Sequence, residues 1–142
     1  MARFLVVDDD GSALSSLERL LRLDGHDVSA FATGAEAVDA LARERFDAVL
    51  TDLEMPHTDG HAVVEAARAS HPEACVVVVS ANATPAHHEL LADAGACFLA
   101  EKPLEYDDVV AAIARCHAHR AHAGKRCHER APHARVTPLR RK

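Results

Sequence analysis

Aspartates stand directly after apolar runs of the chain, and their type and position suit phosphoryl chemistry. Asp8, Asp9 and Asp10 follow the first apolar run, and Asp52 follows a later one. Carboxylates that converge repel one another, so such a cluster normally binds a hard cation or shares protons. Oxygen ligands at a small open site suit Mg²⁺, which keeps several waters and recruits a phosphate oxygen. The aspartates therefore predict a magnesium site, provided that the fold brings the two segments together.

Two further residues are placed to hold phosphoryl oxygens. Ser80 follows the most apolar run of the chain and offers a hydroxyl donor, and Lys102 follows another apolar run and offers a positive charge. A metal, a carboxylate nucleophile and two groups that hold the phosphoryl oxygens are the parts that phosphoryl transfer requires. Each of these residues alone is more simply a solvated turn residue. Their joint position at the ends of separate runs is what favours a shared site.

The order of predicted elements explains how these side chains would be positioned. The predicted strands cover residues 3–7, 28–31, 48–51, 75–79 and 97–100. The predicted helices cover residues 13–23, 34–44, 60–71, 84–94 and 106–118. Strict alternation of strand and helix implies a parallel sheet covered by helices on both faces, with right-handed crossovers. The site of such a sheet lies at the carboxyl ends of the strands, near the switch in strand order.

The charge distribution divides the chain into two parts. Residues 1–114 hold 21 acidic and 7 basic residues, a net charge of −14, whereas residues 115–142 hold 9 basic residues and 1 acidic residue, a net charge of +8. We therefore expect one domain over residues 1–118 and a basic, His-rich tail or linker over residues 119–142. The tail has almost no apolar periodicity, so we expect it to be largely disordered. It also lacks an aromatic platform, so nucleic acid is not an expected partner.

Composition argues against several classes of protein. No window approaches the roughly 18 consecutive apolar residues that a membrane span needs. The first residues run directly into an apolar strand without a signal-peptide pattern, so we expect a cytoplasmic protein with no membrane partner. Cys75 and Cys97 lie inside apolar runs and are expected to be buried thiols. The cysteines show no CxxC spacing, so neither a disulfide framework nor a zinc site is predicted.

Four segments of the chain resemble the response-regulator receiver family of two-component signalling, and the resemblance extends from residue 3 to about residue 118. They are Phe4-Leu5-Val6-Val7-Asp8-Asp9, Val49-Leu50-Thr51-Asp52-Leu53-Glu54-Met55-Pro56 with Asp59-Gly60, Val78-Val79-Ser80-Ala81, and Glu101-Lys102-Pro103-Leu104. The resemblance implies a flavodoxin-like α/β fold. Its doubly wound parallel sheet would have five strands in the order 2-1-3-4-5, with five helices around it.

The resemblance also implies roles for individual residues. Asp52 would be the phosphoacceptor and would take its phosphoryl group from a histidine kinase or a phosphotransfer protein. Asp9 and Asp52 would ligate Mg²⁺ directly, Asp8 would act through a water molecule, and the backbone carbonyl of Glu54 would complete the protein ligands. Asp10 has no ligand role in the family pattern.

In the family pattern, Ser80 and Lys102 would contact the phosphoryl oxygens. Phosphorylation would switch an interaction surface made of the fourth helix, the fifth strand and the fifth helix. That surface would select a downstream effector protein or domain, or a second copy of the chain as a homodimer. The chain would be a signalling switch rather than an enzyme, because it catalyses only its own phosphotransfer and dephosphorylation.

The fifth strand departs from the family pattern at one position. The family often has an aromatic residue three positions before the lysine, and its rotation reports phosphorylation. In this sequence that position is Leu99, and Phe98 is its neighbour. Alternation along a strand places the two side chains on opposite faces. Either a local irregularity presents Phe98, or the aromatic part of the switch is absent.

Two alternative functions stay open at this point. Asp8-Asp9-Asp10-Gly11-Ser12 resembles the opening motif of haloacid-dehalogenase-type phosphatases, in which Asp8 would be the nucleophile and Asp10 the general acid. That interpretation leaves the segment Met55-Pro56 with Asp59-Gly60 unexplained. The second alternative is a receiver-like scaffold that is not phosphorylated in the cell. The three interpretations can be distinguished by the site of phosphorylation: Asp52 in a receiver, Asp8 in a phosphatase, and none in the scaffold.

Overall fold

The structure is a computed structural model that describes residues 2–8, 11–53, 60–81, 84–101, 105–123 and 136–138. Its strands are β1 (Arg3–Val7), β2 (Asp27–Phe31), β3 (Ala48–Asp52), β4 (Cys75–Ser80), β5 (Phe98–Glu101) and β6 (Val136–Pro138). Its helices are α1 (Gly11–Leu23), α2 (Gly34–Arg43), α3 (Gly60–Ser70), α4 (Pro85–Ala94) and α5 (Tyr106–Ala123). None of these described helices is long and apolar enough to cross a lipid bilayer.

The sheet has the strand order β2-β1-β3-β4-β5-β6, and β1 to β5 are mutually parallel. The predicted order 2-1-3-4-5 is therefore confirmed for the parallel strands. Every residue of β4 is buried, because helices cover both faces of this central strand. A strand buried on both faces reads as a continuous apolar run rather than as an alternating one, and β4 has the sequence Cys-Val-Val-Val-Val-Ser.

Two apolar clusters, one on each face of the sheet, form the core. The cluster on one face includes side chains of α1 and α5, and the cluster on the other includes side chains of α2, α3 and α4. Both are built mainly from Val, Leu and Ala, as the aromatic content of only 4% requires. Cys75 and Cys97 are free and buried, as expected.

Both ends of α4, the helix that follows Ser80 in the chain, are defined by specific contacts. Thr84 caps the first turn: its hydroxyl accepts a hydrogen bond from the His87 N–H, and the His87 ring accepts one from the Thr84 N–H, both at 3.3 Å. Reciprocal bonds of this kind satisfy backbone donors that the helix leaves free. The helix ends at Gly95, whose φ of 108° is left-handed. Arg68 of α3 donates hydrogen bonds to the Gly95 carbonyl at 2.6 and 3.1 Å, which ties this end of α4 to α3.

The first residue of α5 is tied to α1. The Tyr106 hydroxyl donates to the carboxylate of Asp24 and to the carbonyl of Leu20, the latter at 3.3 Å. Burial, and then the hydrogen bond to Asp24, raise the pKa of Tyr106 to about 12. The fold therefore favours the neutral phenol, which can donate, over the phenolate, which cannot.

The C-terminal part differs from the prediction in two respects. The helix α5 continues to Ala123 instead of ending near residue 118, and Val136–Pro138 forms a sixth strand, antiparallel to β5. The helix is longer because residues 111–123 are rich in alanine, the strongest helix former. Residues 119–123 of the predicted tail therefore belong to α5, and residues 136–138 form a strand. Residues 124–135 and 139–142 lie outside the described part, so the prediction is not tested there.

Candidate functional site

The pairing of β1 with β3 brings two acidic residues side by side. Val7 pairs with Thr51, so the next residues, Asp8 and Asp52, occupy equivalent positions at the carboxyl ends of adjacent strands. Neighbouring strands lie about 4.8 Å apart. Asp8 is 6% exposed and Asp52 is 2% exposed, so both carboxylates lie in a largely desolvated setting. The two predicted acidic segments therefore do meet at one edge of the sheet.

Ser80 lies on the other side of Asp52. It is the last residue of β4, it is fully buried, and β4 pairs with β3 so that Asp52 is opposite Val79. The Leu53 N–H donates to the Val79 carbonyl at 2.9 Å, which extends the β3–β4 pairing one residue beyond Asp52. The structure thus places Asp8, Asp52 and Ser80 in that order along the carboxyl edge of three adjacent strands.

Gly60, the first residue of α3, packs directly against the backbone at the end of β3. A Cβ atom at this position would lie 2.4 Å from the Asp52 carbonyl oxygen and 2.9 Å from the Leu53 Cα. The Gly60 N–H also donates to the Leu53 carbonyl at 3.1 Å. Only glycine allows so close an approach. The sequence motif gives Gly60 no physical role, whereas the structure shows that it lets α3 begin against the end of β3.

The donor set is compatible with a magnesium ion. Asp8 and Asp52 supply carboxylate oxygens from two fixed strands, and Mg²⁺ is bound in proteins by one or two carboxylates together with waters and phosphate oxygens. Two buried carboxylates this close repel each other unless a proton or a cation lies between them. A divalent cation at this edge of the sheet would compensate both charges.

The structure does not describe four residues that the sequence predicted in or beside the site: Asp9, Asp10, Glu54 and Lys102. Their assigned roles stay predictions that rest on the resemblance. In the sequence, each of them directly or closely follows the last residue of β1, β3 or β5.

The aromatic residue of β5 lies on the face opposite α4. Phe98 is fully buried in the cluster that includes α1 and α5, whereas Leu99 is buried in the cluster that includes α4. Cys97 and Phe98 share one cluster although they are consecutive, so the chain is irregular just before β5. That irregularity does not present Phe98 to α4. Of the two alternatives, the structure favours absence of the aromatic part of the switch.

The family model for the response regulator receiver domain matches residues 4–114. This match covers most of the chain, and it agrees with the fold and with the site at the carboxyl edge of the sheet. The chain belongs to the response regulator receiver family, the CheY-like receivers of two-component systems.

Curated relatives agree with this family. The transcriptional regulatory protein PrrA of Mycobacterium tuberculosis is 40% identical over 111 residues, which are 78% of this chain and 48% of PrrA. The response regulator MprA of Mycolicibacterium vanbaalenii is 35% identical over 109 residues, which are 77% of this chain and 47% of MprA. The chain thus spans about half the length of the curated relatives that it matches.

Solved receiver structures share the fold. A CheY-like receiver domain protein from Methanospirillum hungatei JF-1 superposes with a TM-score of 0.80 at 26% identity, covering 85% of this chain and 97% of that one. The receiver domain of the sensor histidine kinase PA1611 from Pseudomonas aeruginosa PAO1 superposes with a TM-score of 0.72 at 27% identity, covering 82% and 98%. That structure has a magnesium ion coordinated in the active site cleft.

Proposed function

We propose that this receiver accepts a phosphoryl group on Asp52 from a histidine kinase or a phosphotransfer protein, with Mg²⁺ as the metal. The observation that carries the proposal is the position of Asp52, buried between Asp8 and Ser80 at the carboxyl edge of β3. A carboxylate beside a cation site is a suitable nucleophile for phosphoryl transfer. The test is whether the protein gains one phosphoryl group, on Asp52, from acetyl phosphate and Mg²⁺.

The remaining groups of the proposed site divide into metal ligands and phosphoryl contacts. Asp9, Asp52 and the Glu54 carbonyl would ligate Mg²⁺ directly, and Asp8 would act through water. When bound, the metal would neutralise charge on the phosphoryl oxygens. Lys102 and the Ser80 hydroxyl would hold those oxygens from the other side.

The proposed output is a change in the surface formed by α4, β5 and α5. Ser80 ends β4, and α4 begins five residues later with defined caps at both ends. A displacement of Ser80 toward the phosphoryl group would therefore shift α4 as a whole helix. Its partner would be a downstream effector protein or domain, because the relative PrrA is a transcriptional regulatory protein and the matched residues are only 48% of it. We place the receiver domain at residues 1–118 with α5 extending beyond it, and the remaining tail as a linker.

Mg²⁺ binding should depend on Asp9 much more than on Asp10. The loss of a direct carboxylate ligand from a site with few protein ligands should weaken binding by more than about tenfold. We expect this loss in Asp9→Ala and little change in the matched neighbour variant Asp10→Ala, measured by NMR titration of each protein with Mg²⁺. Equal losses in the two variants would show that the ligand assignment is wrong.

Ser80→Ala should accept the phosphoryl group but respond to it poorly. The hydroxyl would contact the phosphoryl oxygens only after transfer, so its removal should cost the conformational response rather than the chemistry. On addition of beryllofluoride, most of the amide shift changes that the wild type shows in α4 and β5 should be lost. The exposed Ser70 provides a matched control, Ser70→Ala, which should respond as the wild type does. An unchanged response in Ser80→Ala would show that the Ser80 hydroxyl takes no part in the switch.

A further inference from the structure

The tail returns to the sheet and pairs with β5. In the antiparallel pairing of β6 with β5, Phe98 is opposite Pro138, Leu99 is opposite Thr137, and Ala100 is opposite Val136. β6 therefore occupies the edge of β5 that faces away from β4. An open strand edge carries unpaired N–H and C=O groups and readily pairs with another chain.

The pairing of β3 with β4 shows which main-chain groups point toward β6. The Cys75 N–H donates to the Asp47 carbonyl at 3.0 Å, and the Val79 carbonyl accepts from the Leu53 N–H at 2.9 Å, so Cys75 and Val79 point toward β3. Main-chain groups alternate in direction along a strand. The residues of β4 that point toward β5 are therefore Val76, Val78 and Ser80.

The register then assigns the hydrogen-bonded pair between β5 and β6. Val77 is opposite Phe98 and Val79 is opposite Ala100. In a parallel pair, a residue forms its hydrogen bonds with the neighbours of the residue opposite it, so the main-chain groups of Phe98 and Ala100 point toward β4. Leu99 consequently points its N–H and C=O away from β4, toward Thr137. In β6, the N–H of Thr137 faces β5, whereas positions 136 and 138 face away. A proline at position 138 is compatible with this arrangement, because its missing N–H would not have faced β5.

Charge and chain length are compatible with pairing within one chain. Val136 is opposite Ala100, so the chain enters β6 at the acidic end of β5. Four acidic residues lie between the end of β5 and the first turn of α5: Glu101, Glu105, Asp107 and Asp108. The connecting segment 124–135 carries four basic residues and one acidic residue, a net charge of +3. Its 12 residues span at most about 40 Å when extended, more than the roughly 27 Å length of the 18-residue α5.

We propose that Val136–Pro138 is an intrachain strap that closes the edge of β5 and keeps a second copy of the chain from docking there. The proposal rests on the proposed output surface, because β5 is its central element. The strap competes with self-association through that surface. β6 pairs with β5 over only three residues, so a modest change in the packing of α4 and β5 is enough to release it.

The test compares two proline variants of the full chain. Thr137→Pro removes the N–H that faces β5, and Val136→Pro, the matched control, removes an N–H that faces away. Hydrogen exchange of the Leu99 amide should become about tenfold faster in Thr137→Pro, the factor expected for one or two net hydrogen bonds, and should change little in Val136→Pro. Equal exchange in the two variants would overturn the strap.

Self-association gives the second measurement. With beryllofluoride, Thr137→Pro should dimerise at a concentration about tenfold lower than the wild type or Val136→Pro, as read by analytical ultracentrifugation. Arg135→Glu, which keeps every backbone donor, should shift dimerisation in the same direction by a smaller factor. Faster Leu99 exchange without tighter self-association would show that β6 does not mask the surface.

Phosphoryl uptake on Asp52 is measured on the same samples, so that failure of the strap and failure of the proposed function can be told apart. If the wild type takes no phosphoryl group, the proposed function fails. The comparison of Leu99 exchange in the two proline variants still decides whether the strap exists.

Discussion

Asp52→Asn should gain no phosphoryl group under conditions in which the wild type gains one. The amide of asparagine has no nucleophilic oxygen of comparable strength, so the change removes the acceptor itself. The variant should stay folded, because asparagine has nearly the shape of aspartate and its neutral side chain relieves the repulsion with Asp8. Intact-protein mass spectrometry after incubation with acetyl phosphate and Mg²⁺ measures the gain directly.

The matched control for this experiment is Asp39→Asn, at a carboxylate that is 64% exposed on α2 and paired with Arg43. It should take one phosphoryl group, as the wild type does. A phosphoryl group that persists in Asp52→Asn and maps to Asp8 would favour the phosphatase alternative. A wild type that takes none from acetyl phosphate or from a histidine kinase would favour the unphosphorylated scaffold.

Gly60→Ala should damage both stability and phosphorylation. The added methyl would lie 2.4 Å from the Asp52 carbonyl oxygen and 3.1 Å from the Asp52 carbonyl carbon, and both are backbone atoms that cannot rotate away. Either α3 or the end of β3 must move. Overpacking of this kind costs about 1–3 kcal/mol. A displacement of the acceptor by a fraction of an ångström to 1 Å should slow phosphorylation by about 10-fold to 100-fold.

Gly25→Ala separates the loss of site geometry from a loss of stability. Gly25 has a φ of 88° and no neighbouring atom within 4 Å of an added Cβ, so alanine there is strained without a clash. It should cost about 1–2 kcal/mol and leave the rate of phosphorylation unchanged. Urea unfolding and the rate of phosphoryl gain should be measured on both variants. A normal rate in Gly60→Ala would show that the close approach of α3 does not position Asp52.

Much of the fold could be predicted from residue patterns alone. The apolar runs and helical spacings predicted all five parallel strands and all five helices, because burial on both faces of a sheet leaves continuous aliphatic runs. The same patterns placed Asp8, Asp52 and Ser80 at strand ends. They could not order the strands, because alternation does not say which strands are neighbours. The order 2-1-3-4-5 came from the resemblance, and it is what places Asp8 beside Asp52.

The tertiary structure decided the features that depend on contacts distant in sequence. β6 is three residues long and contains a proline, so it has no strand pattern of its own, and its pairing depends on an edge of β5 that lies 36 residues earlier or more. Gly60 is required by the approach of α3 to the backbone of Asp52, which no property of the glycine predicts. Alternation correctly places Phe98 and Leu99 on opposite faces, but only the positions of the helices show that Phe98 faces α1 and α5 and that Leu99 faces α4. Local patterns specify which elements form, whereas pairing and close approach are properties of the assembled sheet.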